Sequence, residues 1–395
     1  MADAVLTLNA GSSSLKFALF ALDRPEPTLI FRGELEGLGG DCPRLRGVDA
    51  AGTALFERQW PGGRALTHED LLGAVLDFAG SHLGQDKVCI FAHRVTHGGP
   101  AYADPMEIDD EVLAALDAFC PLAPLHQPHN LTAIRACRAL RPKARQIACF
   151  DTAFHRTMPA VAQRMALPPP WEAKGVRRYG FHGLSYEYVI GRLDELDSAA
   201  ARGRTVMAHL GSGASLCAAI NGRSVDTTMG FSTLDGLVMG TRCGAMDPGV
   251  LLYIVQEAGL DDKALEDLLY RRSGLLGVSG LSADMRPLMD SPRPEAKAAI
   301  DLFVFRLVRE LGAMTASLQG LDSLVFTAGI GEHAPPIRAR VCDNLGWLGV
   351  ELDAEANARN ALKISTANSR VSAWVIPTDE ERVLARHALA LAAGR

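Results

Sequence analysis

The sequence predicts an α/β protein built from two similar halves. Three observations carry this. The 395 residues are long for one hydrophobic core and comfortable for two domains. Apolar strand-like runs alternate with longer helical patterns. One pattern, a strand, a turn of small polar residues and a second strand, returns about two hundred residues after its first appearance.

Taken in order, residues 4–9 (AVLTLN) and 15–20 (LKFALF) read as strands joined by the turn GSSS. Helical spacing follows over 68–83, 109–119 and 129–140. The Pro-rich stretch 166–175 (ALPPPWEAKG) reads as a surface excursion. The opening pattern then recurs: 205–209 (TVMAH) and 216–220 (LCAAI) are strands around LGSGAS. Helices are expected over 249–258 and 295–319, a further strand over 324–328 (LVFTA), and a helix over 335–345 after GIGEH. This alternation predicts layered domains with parallel strands in each; the division is expected at 1–150 and 151–382, with 383–395 completing the first.

Composition bounds the function. Hydrophobic residues make up 48%, charged residues 22%, and the net charge is −6, which describes an ordered globular chain with no general attraction for nucleic acid or an anionic membrane. A bound phosphate must therefore be held by local groups. The eight cysteines are scattered singly, without a CxxC pair, so reduced thiols in a cytoplasmic protein are expected. The start, MADAVLTLNAGSSS, has no basic flank leading into an apolar run, and no leader is expected. No uninterrupted apolar run of about 18 residues occurs, so no membrane span is expected.

Several segments carry chemistry. Asn9-Ala-Gly-Ser-Ser-Ser-Leu-Lys16 is a turn of small residues through which backbone N–H groups and hydroxyls can approach an anion, with Lys16 supplying charge; it also reads as an ordinary serine-rich hairpin. It lacks Walker A spacing. Gly211-Ser-Gly213 and Gly329-Ile-Gly331 follow apolar strands; the first lacks the third glycine of a dinucleotide loop, and the second can set a nucleotide near a helix start. Arg94, in HRVTHGG, sits where ligands gather at strand ends, as a carboxylate or phosphate clamp or a solvated loop arginine. Asp151, in FDTAFH, can orient a reacting group or cap a helix. His182, held between glycines in RYGFHG, is an unusual place for core filler, and Arg242 stands in a loop before a helix. Asp284-Met-Arg286 and Glu380-Glu381 complete the set; Glu380 can hold magnesium or complement a helix dipole. Together these supply what phosphoryl transfer needs, positioning and charge neutralisation.

In this order, NAGSSSLKF, HRVTHGG, APLHQPHN, FDTAFH, RYGFHG, HLGSGAS, MGTRCGAMDPG, DMR, FTAGIGEH and PTDEE, the chain resembles the acetate kinases from residue 5 to about 388. The resemblance implies two duplicated ribonuclease H-like domains of the actin and Hsp70 type with a cleft between them. It implies reversible transfer of the ATP γ-phosphoryl group to acetate, with Mg2+ (Mn2+ as a substitute), acetyl phosphate feeding acetyl-CoA formation, and a cytoplasmic homodimer with no nucleic-acid or membrane partner. Carried over by position, Asn9 and Glu380 match the metal pair. Ser12, Ser14 and Lys16 match the phosphate turn, and Arg94 the carboxylate-binding arginine. Asp151, His182 and Arg242 match the catalytic set. His209, Leu210, Gly211, Ser212, Gly213, Asp284, Met285, Arg286, Gly329, Ile330, Gly331, Glu332 and His333 match the ATP-binding segments.

The chain departs from the family where Ser212 replaces an Asn, His333 ends the GIGEH loop in place of Asn, and Cys243 and Ala245 stand in the arginine loop. The acyl pocket implied by the resemblance has Leu125 and Phe181, but Thr96 and Thr233 where Val and Pro are typical; a threonine hydroxyl there must find a partner. Propionate or a broader acyl range is the neighbouring expectation. A nucleotide-gated binding module without acyl substrate is the alternative of another class, and it has no need of Arg94, Asp151, His182 and Arg242 together.

Overall fold

The computed structural model describes residues 4–11, 14–22, 25–63, 66–83 and 88–394. It divides into two compact units, Met1–Ala153 with Asp379–Arg395, and Phe154–Thr378.

The first unit is built on strands β1 (Ala4–Ala10), β2 (Ser14–Ala21), β3 (Thr28–Glu36), β4 (Arg44–Asp49), β5 (Ala54–Gln59), β6 (Val88–Val95), β7 (Met106–Glu107) and β8 (Arg145–Phe150). Among the described residues they form one sheet in the order β5-β4-β3-β2-β1-β6-β8-β7. The β1–β2, β2–β3, β3–β4 and β4–β5 pairs are antiparallel, whereas β6 runs parallel to both β1 and β8. Strand β1 is central and almost entirely buried, which is why it reads as an unbroken apolar run. Leu6, Leu8, Phe17, Phe31 and Phe91 pack with Leu71, Val75 and Leu76 of the helix His68–Leu83. The helix Glu380–Ala392, capped by the Asp379 carboxylate accepting from Arg382 N–H, buries Val383, Leu384 and Ala388.

The second unit has strands β9 (Arg204–Leu210), β10 (Ala214–Ile220), β11 (Arg223–Thr227), β12 (Ser323–Thr327) and β13 (Ser372–Val375), in the order β11-β10-β9-β12-β13. Again the first three pair antiparallel and β9-β12-β13 run parallel. This order repeats β3-β2-β1-β6-β8, the ribonuclease H-like arrangement, in each unit. The 25-residue helix Pro294–Leu318 buries Phe303, Leu307 and Leu311 in one core. The helix Gly183–Leu196 buries Tyr186, Val189 and Leu193 in another with Met207, Cys217 and Val325.

Parallel strands occur in each unit, β6 with β1 and β8 and β12 with β9 and β13, and the short turns after β1 and β9 make the antiparallel hairpins expected there. Where the sequence divided the chain at 150 and 382, the compact units end at Ala153 and Thr378. The chain leaving β8 stays bound to the first sheet, with Asp151 N–H donating to Val95 O at 3.0 Å. The last helix has a continuous apolar face from Val383 and cannot be cut after its first turn.

Candidate active site

In the first unit the predicted groups converge on the C-terminal ends of parallel strands, where the backbone stops pairing and side chains are free to meet ligands. Asn9 ends β1, Arg94 lies near the end of β6, Asp151 follows β8, and Glu380 opens the last helix. Asn9 Nδ2 donates to Glu380 Oε2 at 3.1 Å, and Arg94 Nη1 donates to Asn9 Oδ1 at 3.3 Å. Arg94 Nη2 donates to Asp151 Oδ2, and Arg94 Nε lies 3.8 Å from Glu380 Oε2. Asp151 is fully buried. Burial opposes the Arg94 charge, but Asp151 and then Glu380 outweigh it and raise its pKa. Burial, followed by repulsion from Glu380, pushes the Glu381 carboxyl up to about 7.

Lys16 is exposed and faces Asn9 across the hairpin register. Ser14 accepts from Gly11 N–H through its carbonyl at 2.8 Å, closing the turn. Ser12 lies outside the described residues. Thr96 is fully buried, and its hydroxyl has the partner that the sequence left open: Oγ1 donates to Asn130 Oδ1 at 2.9 Å. Asn130 Nδ2 in turn donates to Ala10 O at 2.8 Å. Leu125 is half-buried.

In the second unit, His182 sits at φ 61° and caps the helix Gly183–Leu196. Left-handed backbone is uncommon for a residue with a side chain and concentrates at functional turns. Gly180, at φ 78°, has no room for a side chain, because a Cβ would lie 2.5 Å from the His155 ring. That imidazole is fully buried, and its pKa is lowered to about 4 by burial. Its Nε2 lies 3.0 Å from Phe181 O, fixing the carbonyl just before His182. The His182 ring stacks on His209 with centroids 4.1 Å apart and planes 15° apart.

Arg242 Nη1 donates to Thr233 O at 2.8 Å. A Cβ on Gly213 would stand 3.3 Å from His182 Nε2 and 3.6 Å from each terminal nitrogen of Arg242, so the two side chains converge over this glycine. Phe181 is buried in the core and Thr233 is 7% exposed.

A cavity of about 510 Å³ opens beside this pair, lined by Gly211, Ser212, Asp284, Met285, Arg286, Gly329, Ile330 and His333, together with Ala283, Met289 and Ala334. Its size and mostly apolar lining with a few polar groups suit a ligand such as a nucleotide. Three further predicted residues, Leu210, Gly331 and Glu332, do not line this cavity. Leu210 is fully buried in the core. Gly331 is buried against Phe326 and the β9 backbone. Glu332 Oε1 accepts from Ala328 N–H at 2.8 Å and Thr378 N–H at 3.2 Å, so it braces the loop. The glycines of GIGEH are themselves helical, Ala328–His333, entered through Ala328 at φ 63°.

The model of the acetokinase family matches residues 4–386. The chain belongs to the acetokinase family. It is 52% identical over 400 residues to an acetate kinase of Rhodopseudomonas palustris (strain TIE-1), with all of both chains covered. Among solved structures, it resembles an acetate kinase of Porphyromonas gingivalis with TM-score 0.88 and 35% identity, over 99% of this chain and all of that one. It also resembles a propionate kinase of Francisella tularensis with TM-score 0.90 and 33% identity, over 98% of each.

Within this family member, sequence reasoning singled out neither Asn130 nor Arg338. Arg338 is fully buried and donates to Gly331 O and Glu332 O at 2.8 and 2.9 Å, under the GIGEH loop. Asn130 was visible inside the APLHQPHN segment, but its partner Thr96 is 34 residues away. Ala283, Met289 and Ala334, which also line the cavity, carry no chemical signature in the sequence.

Proposed function

We propose that the protein is an acetate kinase, which moves the γ-phosphoryl group of ATP to acetate and back. The observation that carries this reading is the convergence of His182 Nε2 and the Arg242 guanidinium over Gly213, beside the 510 Å³ cavity. Two donors aimed at one open point suit the equatorial oxygens of a phosphoryl group in flight. The cavity would take the adenosine, with Asp284, Arg286 and the 329–333 helix around it.

The first unit supplies the acid and metal ends. Arg94 would hold the acetate carboxylate, with Asp151 and Glu380 fixing its guanidinium in advance. The donor set fits magnesium: the Asn9 amide and the Glu380 and Asp151 carboxylates are hard oxygen groups. Among the described residues no group of three or more His, Cys, Asp or Glu side chains is gathered for a metal ion. When bound, magnesium supplies charge neutralisation on the phosphates. Acetate is already ionised near pH 7, so no strong base is required. Its oxygen forms the new bond to Pγ, the bond from Pγ to the bridging oxygen breaks, and that oxygen leaves with ADP.

Thr96 spends its hydroxyl on Asn130, so it presents a methyl much as Val would. This supports a small acyl pocket and acetate before propionate. Self-association is supported by the helix Pro248–Glu257, in which no residue is buried while Val250, Leu252, Tyr253 and Val255 are exposed. Light scattering on Leu252→Glu should then show monomer where the parent shows dimer. Among the described residues, no helix is long and apolar enough to cross a membrane.

The test is trapping of acetyl phosphate as its hydroxamate, with kcat/KM compared for acetate, propionate and butyrate. Acetate should lead; a discrimination of about 1–3 kcal/mol per methylene is expected. No acyl phosphate from any of them would end this reading.

A further inference from the structure

Behind His182 runs a short chain of hydroxyls. Ser215 and Tyr186 are both fully buried. Ser215 Oγ lies 2.8 Å from His182 Nδ1 and 2.6 Å from the Tyr186 hydroxyl. Tyr186 stands four residues after His182, one helical turn along, and its N–H donates to His182 O at 3.0 Å. Ser215 is held on β10, opposite His209 in the β9 register. Three groups from a helix cap, a helix and a strand therefore meet at one point inside the second unit.

We propose that Ser215 and Tyr186 are positioning residues for phosphoryl transfer: they hold His182 as the Nε2–H tautomer with that N–H aimed over Gly213. The order of protons follows from the three groups. A neutral imidazole nitrogen is the strongest acceptor among them, and the phenol is the most acidic hydroxyl. Tyr186 therefore donates to Ser215 Oγ, and Ser215 donates to His182 Nδ1. A neutral imidazole that accepts at Nδ1 must carry its proton on Nε2.

Nε2 is the atom that faces the point shared with Arg242, 3.3 Å from the Cβ position of Gly213. An N–H there donates to a phosphoryl oxygen, whereas a lone pair there would repel it. The chain also fixes the ring plane, together with the stacked His209 at 4.1 Å. Protonating His182 would turn the Nδ1 bond around, so that Nδ1–H donates to Ser215 Oγ and the Ser215 proton must find another acceptor in this buried site. The network thus favours a neutral donor, leaving Arg242 as the cation of the pair.

The inference rests on His182 acting in the transition state, so His182→Ala is measured beside it. Ser215→Ala is expected to lower kcat about 10- to 100-fold while KM for ATP and acetate stays within about threefold. Ser215→Thr, which restores the hydroxyl, should regain most of the loss, and Tyr186→Phe should give a smaller loss of the same kind. In protein with 15N-labelled histidine, the His182 resonances should report Nε2–H in the parent and lose that preference in Ser215→Ala. If His182→Ala leaves kcat intact, the role given to His182 fails. If His182→Ala abolishes turnover but Ser215→Ala and Tyr186→Phe keep the parental kcat, only the present inference is overturned. It is likewise overturned by a loss in Ser215→Ala that leaves the tautomer unchanged and that Ser215→Thr does not recover.

Discussion

Replacing Gly213 by Ala should disable turnover and spare the fold. The added methyl would stand 3.3 Å from His182 Nε2 and 3.6 Å from both terminal nitrogens of Arg242. A phosphoryl oxygen bonded to these donors must lie about 2.7–3.2 Å from them, in the space the methyl now fills. Loss of one preorganised donor costs about 10²- to 10³-fold in kcat, and a shift of about 1 Å costs about 10²-fold. A fall of about 10²- to 10³-fold is therefore expected. Gly213 is half-exposed and is not among the residues of positive φ, so alanine adopts its backbone without strain. Hydroxamate trapping gives kcat, and a thermal melt checks the fold. A kcat within about threefold of the parent, at unchanged Tm, would show that the oxygens do not pass over this glycine.

Arg94→Ala should abolish acyl phosphate formation and also cost about 3–5 kcal/mol in urea unfolding, because it strands the buried Asp151 carboxylate; adding Asp151→Asn should recover stability but no activity. Acid should destabilise both units through buried neutral histidines. Burial lowers the pKa of His93 and of His155 from 6.5 to about 4. The unfolded chain therefore takes up protons first, and stability is lost as pH falls from 6.5 towards 4. The loss is at most about 3 kcal/mol for each histidine, and His155→Gln should flatten that part of the pH profile in urea titrations. Thr96→Val should cost about 1 kcal/mol, since Asn130 Oδ1 keeps only the residue-96 N–H, and should leave the acetate-to-propionate ratio within about threefold.

Much of this was legible in the chain, for a physical reason. These strand ends break the apolar run with polar or charged residues, so Asn9, Arg94 and Asp151 stand out at the ends of β1, β6 and β8. The first two strands and the helix His68–Leu83 fall within a residue of their expected bounds, because each has a strong period or a sharp turn beside it. What was not legible depends on partners far away in sequence. The Thr96 hydroxyl is satisfied by Asn130, and Glu332 accepts from the Ala328 and Thr378 N–H groups. The left-handed Ala328, which turns GIGEH into a helix, is set by the sharp exit from β12 and not by its own propensity.

On the proposed function, Arg242 acts in the transition state of transfer from ATP to acetate. Single-turnover and steady-state rates of acetyl phosphate formation by the parent and by Arg242→Ala, with magnesium at saturation, test it most directly. A kcat lower by about 10³-fold or more with KM for ATP little changed is predicted. Equal rates in the two proteins, or a parent that makes no acetyl phosphate, would contradict it.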